Sequence, residues 1–275
     1  MVWLTGAAGA QGLKPFKDEM FSYGDIKETA DGGDYRVVGY DEMRDINGRD
    51  QIPERRVKSA YVSTGVKRQQ VNETLPLGDS GIDVTRVGPE TGAAFSVIFI
   101  HGRGGDRRLG SNDYSFGGNF NRVKNLAVAN GGTYYAPSVT SFDAEGVARI
   151  AGLIAMVQQR SPGRPVILSC ASMGSFICWG ISRKPDTVAQ LAGMMVMGGA
   201  VDPDFPKSAA FKAKLPMFFS HGSRDSVYPA EQQVALYRQL KAANYPARFV
   251  LFDSGSHGTP VRMTDWRDAL NWLLR

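Results

Sequence analysis

The apolar positions of this chain change rhythm near residue 94. From there on, short apolar runs alternate with segments of helical period. "AFSVIFI" (94–100) is nearly unbroken β-branched and aromatic, which predicts a strand buried on both faces. "GNFNRVKNLAVANGG" (118–132) predicts a short helix ending at a glycine pair. "TYYAPSV" (133–139) predicts the next strand. In "FDAEGVARIAGLIAMVQQRSPG" (142–163), Val147, Ile150, Ile154 and Val157 stand at helical spacing, with Pro-Gly just past the end. "PVILSC" (165–170) predicts a strand and "MGSFICWGISRKP" (173–185) a helix stopped by Pro185. Strands are predicted over "LAGMMVMGGA" (191–200), "KLPMFFSHG" (214–222) and "ARFVLFDSG" (247–255). The segment 229–246 predicts a helix opened by Pro229, with Val234, Tyr237 and Leu240 on one face, and 261–275 predicts a terminal helix. Strand–helix units of this length predict an α/β fold. Its mostly parallel sheet lies between two helical layers, a three-layer α/β/α sandwich.

Before residue 94 the pattern is weaker. Residues 1 to about 50 read as an irregular, polar N-terminal arm with turn signals at "DGGDY" and "NGRD". "RRVKSAYVST" (55–64) and "GIDVTRVG" (81–88) show partial alternation and predict antiparallel strands. The stretch between them, 65–80, is polar and reads as turns. No linker separates this part, so residues 1–275 are expected to form one domain whose early strands join the same sheet.

Composition narrows the function classes. With 43% hydrophobic and 21% charged residues the chain is of globular, not disordered, type. The net charge of +5 is spread along the chain, and no Lys/Arg block offers a nucleic-acid arm. No apolar run reaches the roughly 18 residues of a membrane span. Cys170 and Cys178 lie close together in apolar surroundings, which argues against a disulfide framework or a metal cluster, and three histidines make a His-based zinc site an unpromising reading. The first residues, "MVWLTGAAGAQG", have the small residues of a signal-peptide cleavage region without its basic and apolar parts, so both a cytoplasmic and an exported location stay open.

In sheets of this kind ligands bind beyond the carboxyl ends of the strands. The polar residues there are His101-Gly102-Arg103 after the first strong strand, Ser172 after "PVILSC", Asp202, then His221 and Asp225, and lastly His257. Ser172, in Cys170-Ala171-Ser172-Met173-Gly174, sits at an abrupt strand-to-helix turn where small neighbours would let a hydroxyl project. A serine in that place can equally be a helix cap; the residues at the other strand ends favour a nucleophile. His257, in the small-residue loop "DSGSHGTP", is the candidate base that a weak hydroxyl nucleophile needs. Asp225 is the favoured orienting acid, with Asp202, Asp204 and Asp253 as rivals. The backbone N–H groups of Met173 and Arg103 are the candidate oxyanion donors. His101 and His221 read as structural. "GRGGD" lacks both the G-K-[ST] ending of a phosphate loop and the glycine spacing of a dinucleotide fingerprint.

Taken in order, "HGRGGD", the serine turn, "HGSRDSVYP" and the late "SHG" make residues 94–275 resemble the α/β-hydrolase family. Within it the chain is similar to the carboxylesterase/phospholipase branch, with its acyl-protein-thioesterase-like and dienelactone-hydrolase-like enzymes. The resemblance implies an α/β-hydrolase fold and a serine hydrolase of carboxylic esters. It implies Ser172 as nucleophile, Asp225 as acid, His257 as base, and Arg103 and Met173 as oxyanion donors. It implies no cofactor and no metal. A small-molecule acyl ester is then the expected partner, nucleic acid is not, and a homodimer is compatible with the reading. Two departures stand out: Cys170 where the family's elbow has glycine, and a leading segment of about 50 residues that matches nothing in the pattern. Dienelactone-type members use a cysteine nucleophile, so lactone chemistry of that type is not favoured here.

The segment after Asp202 is too short for a large lid, which predicts an open site unless the N-terminal arm covers it. The loop 102–120 carries Arg103, Arg107 and Arg108 beside Tyr114, Phe116 and Phe120; the arginines could pair with an anionic substrate. Thioesterase or lysophospholipase-like activity, or a non-enzymatic binding role, are the alternatives.

Overall fold

The structure, a computed structural model, describes residues 12–77 and 81–275. The signal-like start of the chain, Met1–Gln11, lies outside the described residues, as do residues 78–80. The strands are β1 (Ile26–Ala30), β2 (Tyr35–Gly39), β3 (Asp50–Gln51), β4 (Arg56–Val57), β5 (Gln70–Leu75), β6 (Ile82–Val87), β7 (Ser96–Ile100), β8 (Thr133–Pro137), β9 (Val166–Ala171), β10 (Gly193–Met197), β11 (Met217–Gly222) and β12 (Ala247–Asp253). The helices are α1 (Asp18–Phe21), α2 (Arg107–Ser111), α3 (Asn119–Ala129), α4 (Ala144–Arg160), α5 (Ser175–Ser182), α6 (Pro185–Val188), α7 (Ala209–Lys212), α8 (Ala230–Ala242), α9 (Thr259–Met263) and α10 (Trp266–Leu273).

Among the described residues, ten strands form one sheet in the order β1-β2-β12-β11-β10-β9-β7-β8-β6-β5. From β8 through β12 to β2 every neighbouring pair is parallel, while β5, β6 and β1 run antiparallel at the two edges. Parallel strands need crossover helices, and those helices cover both faces. Strand alternation divides the core accordingly. Ile98, Ile100, Leu168 and Cys170 face the side covered by α4, α5 and α8. Val97, Phe99, Ile167 and Ala171 face the side covered by α3 and α10. The face predicted for α4 is the buried one, with Val147, Ile150, Ile154 and Val157 all 6% exposed or less. Among the described residues, no helix is long and apolar enough to cross a membrane.

Four expectations are corrected. The N-terminal arm is not irregular: "DGGDY" is the turn of a hairpin, and β2 pairs in parallel with β12 from Tyr35↔Phe249 to Gly39↔Asp253. The signal was faint because β1 is almost wholly exposed and carries a single large apolar residue. Residues 55–64 are not a strand. Only Arg56–Val57 pair, with Asp50–Gln51, and 3₁₀ turns follow at Ser59–Tyr61 and Thr64–Gln69. The polar stretch after them is instead edge strand β5. It needs few apolar residues because one side of it is solvent, and Glu73 ties it to Arg86 and Arg160 at 3.0 and 2.9 Å. The terminal helix is broken after Met263, because Asp265 caps α10 by accepting the Arg267 N–H.

The segment between β2 and β5 is fixed to the body by buried polar contacts. Arg262, on α9, donates from Nη1 to the Asp45 carbonyl at 2.8 Å and pairs through both guanidinium nitrogens with the Asp50 carboxylate. Both residues of that pair are buried. Arg49 reaches the Gly117 carbonyl at 3.2 Å and lies over the rings of Phe21 and Tyr61. Removing one partner of such a pair leaves an uncompensated buried charge. Arg262→Met is therefore expected to destabilise the protein by about 3 to 5 kcal/mol in denaturant unfolding. A loss within the error of the wild-type curve would show that the segment is not anchored through this pair.

Candidate active site

The elbow begins where β9 ends. Ser172 has a φ of 53°, the left-handed region that side-chain-bearing residues avoid. The chain then turns through Ser172–Gly174 directly into α5. The turn is this tight because it lies against β7: a Cβ at Gly174 would stand 2.7 Å from the His101 carbonyl oxygen and 2.8 Å from that of Ile100. Position 170 does not need glycine. Cys170 points into the core, where it is fully buried and forms a disulfide with Cys178 on α5. This corrects the expectation drawn from their closeness. Strand, turn and helix double back on themselves, which brings Cα atoms eight residues apart to 6.2 Å, within bridging range.

Ser172 Oγ lies 2.8 Å from His257 Nε2, and His257 Nδ1 lies 2.8 Å from Asp225 Oδ2. A carboxylate only accepts, so Nδ1 carries the proton and Nε2 is free to accept the serine hydroxyl. Asp225 has no exposed side-chain surface, whereas His257 is 27% exposed. The Asp225 carboxylate is enclosed by donors. Its Oδ1 accepts the N–H groups of Val227 and Tyr228 at 2.8 and 3.0 Å. Its Oδ2 also lies 3.1 Å from Nε2 of the buried His221. That same nitrogen is 2.9 Å from the Tyr228 carbonyl, and the His221 Nδ1 faces the side-chain amide of Gln233 at 2.6 Å. The contact of His221 with Asp225 was not foreseen from the sequence, although the spacing within "HGSRD" holds both residues.

The rival acids are committed elsewhere. Asp202 pairs with Arg183 at 2.6 Å and accepts the Asp204 N–H. Asp204 pairs with Lys207 and Asp253 with Lys27. Among the described residues, no three His, Cys, Asp or Glu side chains gather where they could hold a metal ion.

The loop after β7 passes against Ser172. A Cβ at Gly102 would be 2.9 Å from the Ser172 Cβ and 3.2 Å from its Oγ, so only glycine lets the chain pass there. His101 braces this loop. Its Nδ1–H donates to the Gly102 carbonyl at 2.7 Å, and Nε2 accepts the Val139 N–H at 2.9 Å. Burial lowers its pKa, which keeps the ring in the neutral form that this pattern requires. Among the described residues, the Arg103 N–H has no acceptor in the turns and caps around it.

The cationic and aromatic residues of loop 102–120 separate. Arg108, largely exposed, pairs with Asp106, and Arg107 reaches toward Thr85 at 3.5 Å. Arg103 is exposed. Tyr114 lies under the Arg56 guanidinium at 3.3 Å, and Phe120 is fully buried against Phe99. Phe116 alone of the three aromatics lines a cavity next to the His257 loop. Only short elements, Phe205–Lys207 and α7, stand between β10 and β11.

No protein-family model matches the sequence, and no curated protein matches it. Solved structures share its architecture. A thermostable esterase aligns with a TM-score of 0.58 at 17% identity, over 76% of this chain and 63% of the esterase, so the chain spans less than two thirds of that enzyme's length. A member of the α/β serine hydrolases without a lid, from Xanthomonas campestris, aligns with a TM-score of 0.54 at 16% identity, over 75% of this chain and 94% of its own. A candidate dienelactone hydrolase from Klebsiella pneumoniae aligns with a TM-score of 0.53 at 13% identity, over 74% and 97%. Such identities speak for fold alone. With the sheet order and the helices on both faces, they establish that the chain has the α/β-hydrolase fold.

Proposed function

We propose that this protein is a serine hydrolase of carboxylic esters. The observation that carries the reading is the unbroken hydrogen-bonded series from Ser172 Oγ through His257 to the buried Asp225, with 2.8 Å at each step. Ser172 attacks the acyl carbon while His257 Nε2 takes its proton. Asp225 holds the Nδ1–H tautomer and stabilises the imidazolium that forms. The N–H groups of Met173 and Arg103 receive the negative oxygen of the tetrahedral intermediate. Collapse breaks the bond to the alcohol, whose oxygen takes the proton from His257. Water then attacks the acyl-enzyme with His257 as base, the acid product leaves, and Ser172 regains its proton.

The left-handed backbone at Ser172 supports the same reading. Strain of this kind costs on the order of 1 to 3 kcal/mol and persists where the surroundings fix it. A helix cap needs no such conformation, and the Ser172 side chain caps nothing here.

A series of p-nitrophenyl esters of increasing chain length tests the activity and reads the acyl preference. Ser172→Ala is expected to abolish turnover. Asp225→Asn is expected to lower kcat by roughly 10⁴, with Asp202→Asn close to wild type; the reverse order would overturn the acid assignment. Gly174→Ala forces the elbow away from the β7 carbonyls, and a displacement near 1 Å at a reacting group costs roughly 10² in rate. A folded Gly174→Ala protein with wild-type kcat/KM would contradict the close approach at this turn. Loss of one oxyanion donor costs roughly 10² to 10³. Arg103 acts through its backbone in this scheme, so Arg103→Ala is expected to lose far less than that on a neutral ester. A thousandfold loss with the fold intact would show that the guanidinium itself takes part.

A further inference from the structure

The proposed chemistry uses the edge formed by the ends of β7, β9, β11 and β12. The N-terminal segment also reaches that edge. Because β2 runs parallel to β12, its last residues arrive beside the His257 loop, and the Tyr40 N–H donates to the Asp253 carbonyl at 2.9 Å. The chain then runs past the His257 loop to the 114–117 turn as residues 40–57. The Arg262–Asp50 pair and the Arg49–Gly117 bond hold it there, and the Val57 N–H donates to the Tyr114 carbonyl at 3.1 Å. A cavity of about 270 Å³ remains between this segment, the 115–116 turn and the His257 loop. Tyr40, Ile46, Arg55 and Phe116 line it, together with Ser256 and Gly258, the two neighbours of His257.

From this geometry we infer that residues 40–57 form one wall of a leaving-group pocket, sized for a phenol-like alcohol and favouring one with an anionic substituent. The inference rests on the ester-hydrolase reading and specifies its substrate. The departing oxygen takes its proton from His257 Nε2, so the group attached to that oxygen sits on the side of the His257 loop. The cavity falls just below the roughly 300 to 1,000 Å³ of pockets that take a whole ligand, which suits one part of an ester. Tyr40, Ile46 and Phe116 give it apolar walls. Arg55 is exposed where the cavity opens, and among the described residues its guanidinium has no ion-pair or hydrogen-bond partner. An acidic group on the ring would meet that cation.

The test holds the acyl group constant as acetate and varies the alcohol among methanol, phenol and 4-hydroxybenzoate. Ile46→Trp fills the cavity, and its fractional loss of kcat/KM on phenyl acetate is expected to exceed that on methyl acetate at least tenfold. Arg55→Glu, on an exposed turn, is expected to lower the preference for 4-carboxyphenyl over phenyl acetate at least fivefold. Equal losses of Ile46→Trp on both esters, or no loss on either, would overturn the pocket. If that variant does not fold, an unchanged ester preference in Arg55→Glu overturns the inference by itself. Labelling of Ser172 by a small fluorophosphonate separates this failure from failure of the underlying reading. A labelled, ester-cleaving enzyme with unaltered alcohol selectivity removes only the pocket, whereas a wild-type protein neither labelled nor active removes the hydrolase reading and the pocket with it.

Discussion

Everything at the candidate site depends on the close approach of two backbones, the β7 exit and the β9–α5 turn. They pack so tightly that Gly174 and Gly102 leave no room for a Cβ, and Ser172 between them is held in a left-handed conformation. Such a turn would relax if its flanks could move. They cannot move readily, because β9 is buried along its whole length and α5 packs through Ile177, Cys178 and Ile181. The Cys170–Cys178 bridge joins the strand before the turn to the helix after it. It closes a short loop, for which chain entropy predicts a contribution of about 2 to 3 kcal/mol. The side of the loop opposite Ser172 is held by His101, whose two ring nitrogens bind the chain at Gly102 and Val139. Local strain at one residue is thus distributed over a sheet, a helix and a loop.

The second constraint is the far edge of the sheet. In the order of the strands, β12 would be an edge if the chain began at β5, and the His257 loop would leave from an open strand. The N-terminal hairpin removes that edge by pairing β2 against β12 over five residues. Its direction matters as much as its presence. An antiparallel strand would send the following segment to the opposite end of the sheet; a parallel one sends it to the end where Ser172, Asp225 and His257 meet.

How much of this was legible in the sequence follows from how each element buries its side chains. Strands β7 to β12 are enclosed on both faces, so their apolar runs stood out, and the helices between them showed in the spacing of residues such as Ile150 and Ile154. The polar residues at the strand ends were legible for the same reason: they interrupt runs that are otherwise apolar. Strands β1 and β5 lie at the edges with exposed faces, and nothing in "IKETA" or "QVNETL" separates them from loops. Residues 40–57 have no period at all, because buried arginines and carboxylates hold them rather than an apolar stripe. The disulfide is not legible in the sequence because two cysteines eight residues apart come within bridging range only where strand, turn and helix double back.

The sequence favours Asp225 over Asp202, Asp204 and Asp253 from its place between a buried strand and a Pro-started helix, and the side-chain contacts separate these carboxylates further. The difference lies in how the carboxylate oxygens are shared. Asp202 gives its carboxylate to an arginine and to a neighbouring N–H, which leaves nothing to direct at His257. In Asp225 the two backbone N–H groups occupy Oδ1 and fix the plane of the carboxyl group, so Oδ2 is presented in one direction. His221 lies against that oxygen from the buried side and His257 from the solvent side. The buried imidazole closes off the inner approach to Oδ2, and Gln233 and the Tyr228 carbonyl hold its ring in place. On the solvent side, Oδ2 meets His257 Nδ1 at 2.8 Å. A carboxylate whose Oδ1 is fixed by two backbone N–H groups keeps its Oδ2 in one direction, and that fixes the tautomer and orientation of the partly exposed His257 hydrogen-bonded to it.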